Sequence, residues 1–63
     1  MKQLYIVASF IHSDEEELSE EITNFSNQEA ENHYLIDSVN FSVVPDDDEF
    51  LFSALVIYKL NIQ

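Results

Sequence analysis

The segment from Phe50 to Ile62 constrains the fold most, because it is apolar on both faces of a β-strand. Alternate residues form one unbroken apolar face: Phe50, Phe52, Ala54, Val56, Tyr58, Leu60 and Ile62. The opposite face still carries Leu51, Leu55 and Ile57. A strand of this kind is normally covered on both sides. The segment therefore predicts a central strand whose sheet needs a packed layer on each face.

Two further strands are predicted by the period-two pattern of apolar residues. The first runs from Lys2 to Ile11, and its two faces are made of Leu4, Ile6, Ala8 and Phe10, and of Tyr5, Val7 and Ile11. The second runs from Leu35 to Val44. We place on its apolar face Leu35, Val39, Phe41 and Val43, and on its more polar face Ile36, Ser38, Asn40 and Ser42. Proline and aspartate favour turns, so residues 45–48 predict the turn of a hairpin with the last strand.

A helix is predicted between the first two strands. Ser13 with Glu16 three residues later forms a capping-box pattern. The acidic first turn of the helix suits the positive end of its dipole. Leu18, Ile22 and Phe25 follow as a narrow apolar stripe. The chain contains no glycine to cap the helix, which we expect to end between Asn27 and Asn32.

These elements predict one α+β domain over residues 1–63, with the order β-α-β-β. The hairpin pairs the last two strands, and the first strand lies on the other side of the most apolar one. The result is a three-stranded antiparallel sheet in the order 1-3-2. The single helix covers one face of this sheet.

The other face of the sheet predicts a homodimer. A chain of 63 residues without cysteine buries only about 60% of its unfolded surface, and a net charge of −11 adds self-repulsion. One helix leaves an apolar patch bare, and burying it against a second copy would stabilise the fold. We expect the dimer interface to contain Tyr5, Val7, Leu51, Leu55 and Ile57. Covering by the C-terminal tail is the alternative, but that tail is short.

The charge balance excludes several partners. Thirteen acidic residues stand against two lysines, whereas binding to nucleic acid or to an anionic membrane requires basic side chains. No apolar run approaches the ~20 residues of a spanning helix. The first residues lack the cleavage site of a signal peptide. We therefore expect a protein of the host bacterial cytoplasm.

Catalytic and metal-binding patterns are weak. The chain has no cysteine and no glycine, which excludes thiolate chemistry and a phosphate-binding loop. His12 and His33 lack metal-ligand spacing, so we expect them on the surface. The acidic run of residues 46–49 lacks the glycine and the alternating oxygens of a calcium loop. We expect a protein that is not an enzyme and uses no cofactor and no metal.

The acidic residues of the helix are the candidate binding surface. Glu16, Glu17, Glu20 and Glu21 stand three or four residues apart, which places like charges about 5–6 Å from each other. No lysine relieves them, so their field would steer a basic partner. A row of carboxylates has a spacing near the ~7 Å between phosphates of a nucleic-acid strand. We add the hairpin tip to this surface: Asp46, Asp47, Asp48 and Glu49. The alternative is a generic acidic surface that serves solubility.

The segment from Ile36 to Ser42, the acidic turn after it and the segment from Phe52 to Lys59 form a pattern seen elsewhere. In these segments the chain resembles a family of very small acidic sporulation proteins of spore-forming bacteria and similar short phage proteins. The glutamate-rich stretch with Leu18, Ile22 and Phe25 also fits the family's central helix. The resemblance covers residues 2–7 and 17–59. The longer first strand and the turn at Pro45 depart from it. No catalytic motif of the family is carried over.

Two functions follow as hypotheses. The first is a non-enzymatic inhibitor of the phage anti-defence type, which binds the basic, nucleic-acid-binding surface of a host nuclease or helicase. It would act as a nucleic-acid mimic through the acidic residues named above. The alternative is a structural or regulatory protein associated with sporulation.

Overall fold

The computed structural model describes residues 3–62. Its elements, in chain order, are β1 (Tyr5–His12), α1 (Glu15–Glu31), β2 (Tyr34–Asp46) and β3 (Glu49–Leu60). The strands form one antiparallel sheet in the order β1-β3-β2, and α1 packs on one of its faces. The α+β class and the 1-3-2 order predicted from the sequence are therefore confirmed. The predicted start of the first strand at Lys2 lies outside the described residues, but Gln3 and Leu4, which the prediction included, precede the strand, and the strand ends at His12 instead of Ile11.

The core lies between α1 and the central strand β3. Val56 and Tyr58 of β3 are fully buried, and the buried cluster comprises Phe10, Leu18, Tyr34, Ala54, Val56 and Tyr58. Residues of β1 at the even positions pair with these β3 residues and share their face, which confirms the predicted faces of the first strand. β3 is paired with a strand on both edges, so the central position predicted from its two-sided apolar pattern is confirmed.

The helix begins one residue later than the capping box predicts. Asp14 is the N-cap, and its carboxylate accepts a hydrogen bond of 3.0 Å from the backbone N–H of Glu16. The predicted cap at Ser13 is wrong. An aspartate at this position caps the first turn and also places a negative charge at the positive end of the helix dipole, which a serine hydroxyl does not.

The helix ends at Glu31, within the predicted interval, and His33 reverses the chain. The amides of Asn32 and His33 donate to the carbonyls of Glu29 and Ala30, each at 3.0 Å. His33 has a φ of 70°, in the left-handed region that favours glycine. The chain supplies a histidine at this position, and the left-handed conformation there carries a conformational cost.

We expect His33→Gly to raise the free energy of unfolding by about 1 kcal/mol, because glycine adopts this conformation without the steric penalty of a Cβ. Urea unfolding followed by circular dichroism at a fixed protein concentration measures the change. His33→Ala is the matched control, since it shortens the side chain but keeps the Cβ. An alanine variant stabilised as much as the glycine variant would contradict this explanation.

A β-bulge changes the faces of β2. Ile36 pairs with Tyr58 and Ser38 pairs with Ile57, so that Asp37 is the additional, unpaired residue. The extra residue reverses the alternation of side chains. The predicted faces of the second strand are therefore wrong at two positions. Leu35 lies on the face opposite α1, and Ile36 lies on the same face as α1.

The hairpin turn is tighter than predicted. Pro45 and Asp46 belong to β2, and only Asp47 and Asp48 connect the strands, with Asp47 at a φ of 53°. Proline is tolerated there because β2 is an edge strand, where a missing N–H removes no bond to a further strand. β1 ends where His12 pairs with Phe52, and the hairpin continues beyond it. We call residues 43–52 the hairpin arm, which makes the molecule elongated, at 47 × 16 × 15 Å.

The sheet face opposite α1, which we call the open face, has no covering layer among residues 3–62. Of the residues predicted for the dimer interface, Val7 is 61% exposed, Tyr5 and Leu55 are exposed, and Leu51 and Ile57 are half-buried. Ile62 is 67% exposed, so the part of the C-terminal tail that the structure describes does not cover this face. The homodimer itself stays a prediction.

Candidate functional site

The carboxylates of α1 occupy its solvent-exposed sides. Leu18 is buried and Ile22 and Phe25 pack on the core, which fixes the face that α1 turns to the sheet. By the helical spacing, Glu16 and Glu20 lie on the side facing away from the sheet. All four predicted binding residues of α1 are exposed: Glu16, Glu17, Glu20 and Glu21. The helix therefore presents these carboxylates to solvent, without a basic residue in its last turn.

Two of the four helix carboxylates contact His12 at the end of β1. Its Nε2 forms a hydrogen bond with the carboxylate of Glu21, and its Nδ1 lies 3.6 Å from an oxygen of Glu17. The imidazole is 29% exposed. The hydrogen bond to Glu21 raises the pKa of His12 above its ordinary value of 6.5; partial burial opposes this, and the charges of Glu21, Glu17 and Asp14 add to it. His12 therefore reduces the acidic field on this side of the helix when it is protonated.

This pairing predicts a pH dependence of stability. Because the pKa of His12 is raised in the folded state, its contribution to the free energy of unfolding is fully present below the unfolded value of 6.5 and is lost as the pH rises through the folded pKa. We expect Glu21→Gln to lower the pKa of His12 and to flatten this loss. NMR titration of the imidazole and thermal unfolding between pH 5 and about 8 measure both effects.

Glu31→Gln, at the other end of the helix, is the control for removing one negative charge. If it lowered the pKa of His12 as much as Glu21→Gln does, the shift would come from the general field of the protein and not from the contact.

An apolar groove lies between the first half of α1 and the hairpin. It has a volume of about 440 Å³, and its apolar lining residues are Leu18, Ile22, Phe41, Val43 and Phe52. Phe41 is 66% exposed and Val43 is 56% exposed. Glu15, Ser19 and Thr23 of α1 stand at its rim. The sequence pattern places Phe41 and Val43 on the covered face of the sheet, but α1 does not reach far enough to bury them.

The acidic hairpin tip does not join the carboxylates of α1. Asp46, Asp47, Asp48 and Glu49 are all exposed. From Phe52, where β1 ends, β3 continues for three residues to Glu49, which is about 10 Å of extended chain. The apolar side chains of the hairpin arm, including Phe50 at 59% exposure, lie in between. The structure thus presents two acidic regions on either side of the groove and arm.

Other sites are sparse within the part of the chain that the structure describes. No group of three or more His, Asp or Glu side chains is arranged to hold a metal ion. On the open face the hydroxyls of Ser42 and Ser53 share a hydrogen bond of 2.5 Å, and neither contacts a histidine. No helix within residues 3–62 has the length and apolar character needed to cross a membrane.

Comparison with protein-family models, with curated proteins and with solved structures found no match to this chain. The resemblance to small acidic sporulation proteins therefore stays a prediction from the sequence.

Proposed function

We propose that this protein is a non-enzymatic acidic binding protein, an inhibitor of the phage anti-defence type that occupies the basic, nucleic-acid-binding surface of a host nuclease or helicase. The observation that carries the proposal is the arrangement of one apolar groove between two acidic regions. The first is the row of exposed carboxylates on α1, which we call the helix row: Glu16, Glu17, Glu20 and Glu21. The second is the hairpin tip. Long-range steering by the carboxylates of α1 and short-range anchoring by the apolar side chains of the groove are both available on the α1 side of the sheet, whereas Asp46 and Glu49 of the hairpin tip lie on its other face.

The electrostatic part of the proposal follows from the cost of the helix row. Glu16 and Glu20, and Glu17 and Glu21, are like-charged pairs at i and i+4, and such pairs destabilise a helix by about 0.2–0.5 kcal/mol each. His12 relieves only the second pair. Because these carboxylates destabilise the helix and no lysine lies between them, they favour a role in binding. Their field raises the association rate with a surface built to hold phosphates.

Exposed aromatic residues of the groove and the hairpin arm supply the anchoring contacts. Phe41 and Phe50 are large side chains with more than half of their surface exposed. Buried aromatic anchors contribute most to the affinity of protein interfaces, whereas charges at the rim act more on the association rate. Binding by this surface would therefore combine a strong salt dependence with a slow dissociation.

A capture experiment tests the proposal. The protein, immobilised through its C-terminus, is incubated with a lysate of the bacterial host. We expect it to retain a nucleic-acid-handling protein that is released by added DNA and by salt above physiological strength, where the screening length shortens. Retention that DNA does not compete, or that salt does not weaken, would contradict the proposal. An early phage operon around the coding sequence would support it.

The alternative, a protein associated with sporulation, is favoured by the resemblance of the segments around Ile36 and Tyr58. It predicts that the protein is recovered from spore fractions and that capture yields no nucleic-acid-handling partner. Its acidic surface would then serve solubility or cation loading.

A further inference from the structure

The open face differs from the remaining surface in the placement of its charges. The strand register puts Lys59 at one end of this face and Asp46 with Glu49 at the other end. Asp37, the bulged residue, lies at the edge near the Lys59 end. Between the two ends the face is made of apolar, serine and asparagine side chains: Val7, Ser9, Ile11, Ser38, Asn40, Ser42, Val44, Leu51, Ser53, Leu55 and Ile57. Because the middle of this face is made of uncharged side chains, a second copy, which also has a net charge of −11, can approach it with less repulsion than elsewhere.

We propose that a second copy of this chain covers the open face, with the two β3 strands antiparallel and with Lys59 of each copy against the acidic hairpin tip of the other. The inference does not rest on the basic partner proposed above. α1 and the groove lie on the other face of the sheet and stay free in the dimer, and the two proposals share only the hairpin tip. In the dimer both acidic helices face outward.

Charge selects between the two ways of packing this face on itself. A two-fold axis parallel to the strands would superpose the hairpin tips and bring eight carboxylates together, four from each copy. An axis at right angles to β3, near its midpoint between Ala54 and Leu55, reverses the strands. It places Lys59 opposite Phe50, next to Glu49 of the second copy. The antiparallel arrangement therefore separates the two tips and sets Lys59 against each of them, while Asp37 at the edge offsets part of this attraction.

The position of Lys59 suits this contact. Its Nζ lies 6.0 Å from the centre of the Tyr5 ring, on the open face. About ten residues of β3 separate Lys59 from Glu49, which is roughly 33 Å of extended chain. The ends of the face therefore carry separate charges that a reversed copy matches.

The size of the face is sufficient for a specific dimer. β3 is 12 residues long and is paired with β2 along its length, and β1 adds a third strand along eight residues, which gives a face of roughly 40 by 10 Å that widens to about 14 Å beside β1. Because side chains project from the sheet, the accessible area of the face is larger than this outline and is of the order of the ~800 Å² that each partner contributes to a standard interface.

Light scattering at micromolar concentration tests the dimer first. We expect twice the mass of one chain, and the mass of one chain after Leu55→Asp, which places a charge at the centre of the interface. Leu55 is 44% exposed in the single chain, so the variant is expected to keep its fold, which circular dichroism checks. A monomeric wild-type protein would overturn the proposal.

Cross-linking tests the orientation, and it does not require a disruptive variant. The chain has no cysteine, so Leu51→Cys and Ile57→Cys each introduce a single thiol on the open face. Facing sheets lie about 10 Å apart, so a short bis-maleimide is used instead of oxidation. The antiparallel dimer predicts that a mixture of the two variants is cross-linked much more than either alone. Cross-linking of each variant with itself would indicate the parallel arrangement and overturn the proposal.

A charge reversal tests the contact of Lys59. We expect Lys59→Glu to raise the dimer dissociation constant about tenfold or more at low salt, since two contacts are lost and replaced by repulsion. Addition of Glu49→Lys is expected to restore the dimer. The double variant Asn24→Asp, Gln28→Glu on α1 changes the net charge by the same amount and is the control. An equal loss in the control, or no rescue, would overturn the assigned contact.

Discussion

Replacement of Tyr58 by alanine is expected to lower the free energy of unfolding by about 3–5 kcal/mol, a large part of the stability of so small a domain. Tyr58 is fully buried on the central strand, and its ring centre lies 5.5 Å from that of Phe25 on α1. Its hydroxyl is 2.8 Å from the hydroxyl of Ser26. The alanine variant leaves a cavity where the helix meets the sheet and also leaves Ser26 without this partner. Urea unfolding at a fixed protein concentration measures the loss.

Tyr58→Phe separates the packing of the ring from the hydrogen bond. It keeps the ring against Phe25 and removes only the contact with Ser26, which is part-buried. We expect a loss of about 1 kcal/mol for a hydrogen bond of this kind. If the alanine variant lost no more stability than the phenylalanine variant, the ring would not be the centre of the core.

The topology was predictable because β3 leaves few alternatives. A strand that is apolar on both faces has to be central, and the short acidic turn has to make it antiparallel to β2. The first strand then has one free edge to pair with. The spacing of Leu18, Ile22 and Phe25 likewise fixes which side of α1 meets the sheet. These conclusions depend on the periodicity of a single element, and so they follow from local sequence.

The errors occur where a distant partner decides the local structure. The bulge at Asp37 has no signature in the sequence around it, since it is defined by the register against Tyr58 and Ile57. Tyr34 was not included in the predicted strand, yet it is buried, and its hydroxyl donates a hydrogen bond of 2.6 Å to the carbonyl of Gln3. That bond joins two segments far apart in the chain, and the local pattern does not reveal it.

The candidate site was predictable in part. The exposure of Glu16 and Glu20 follows from the spacing of α1, whereas the contact of Glu17 and Glu21 with His12 depends on how the end of β1 meets the helix. The groove could have been predicted from the lengths of the elements, which the period-two pattern does not take into account. A helix of 17 residues spans about 26 Å and a strand of 13 residues about 43 Å, so the helix cannot cover the whole hairpin.

The second large effect is expected on binding, when the four helix carboxylates are made neutral. We expect the variant with Glu16, Glu17, Glu20 and Glu21 replaced by glutamine to bind its basic partner about a hundredfold more weakly at low salt. Four lost contacts of about 0.5–1 kcal/mol each are of this order. The dependence of the dissociation constant on salt should flatten as well, because fewer charges remain to be screened.

Unfolding would not account for this loss of binding, since the substitutions have opposing effects on stability. Removal of the i,i+4 repulsions stabilises α1 by a few tenths of a kcal/mol per pair, and loss of the contacts with His12 offsets that gain. Titration calorimetry at two salt concentrations measures the affinities. Glu29→Gln with Glu31→Gln, at the other end of the helix, is the control for a general charge effect. If the variant with four substitutions bound as tightly as the wild type, or no more weakly than this control, the helix row would not be the binding surface. The groove alone would then have to account for recognition.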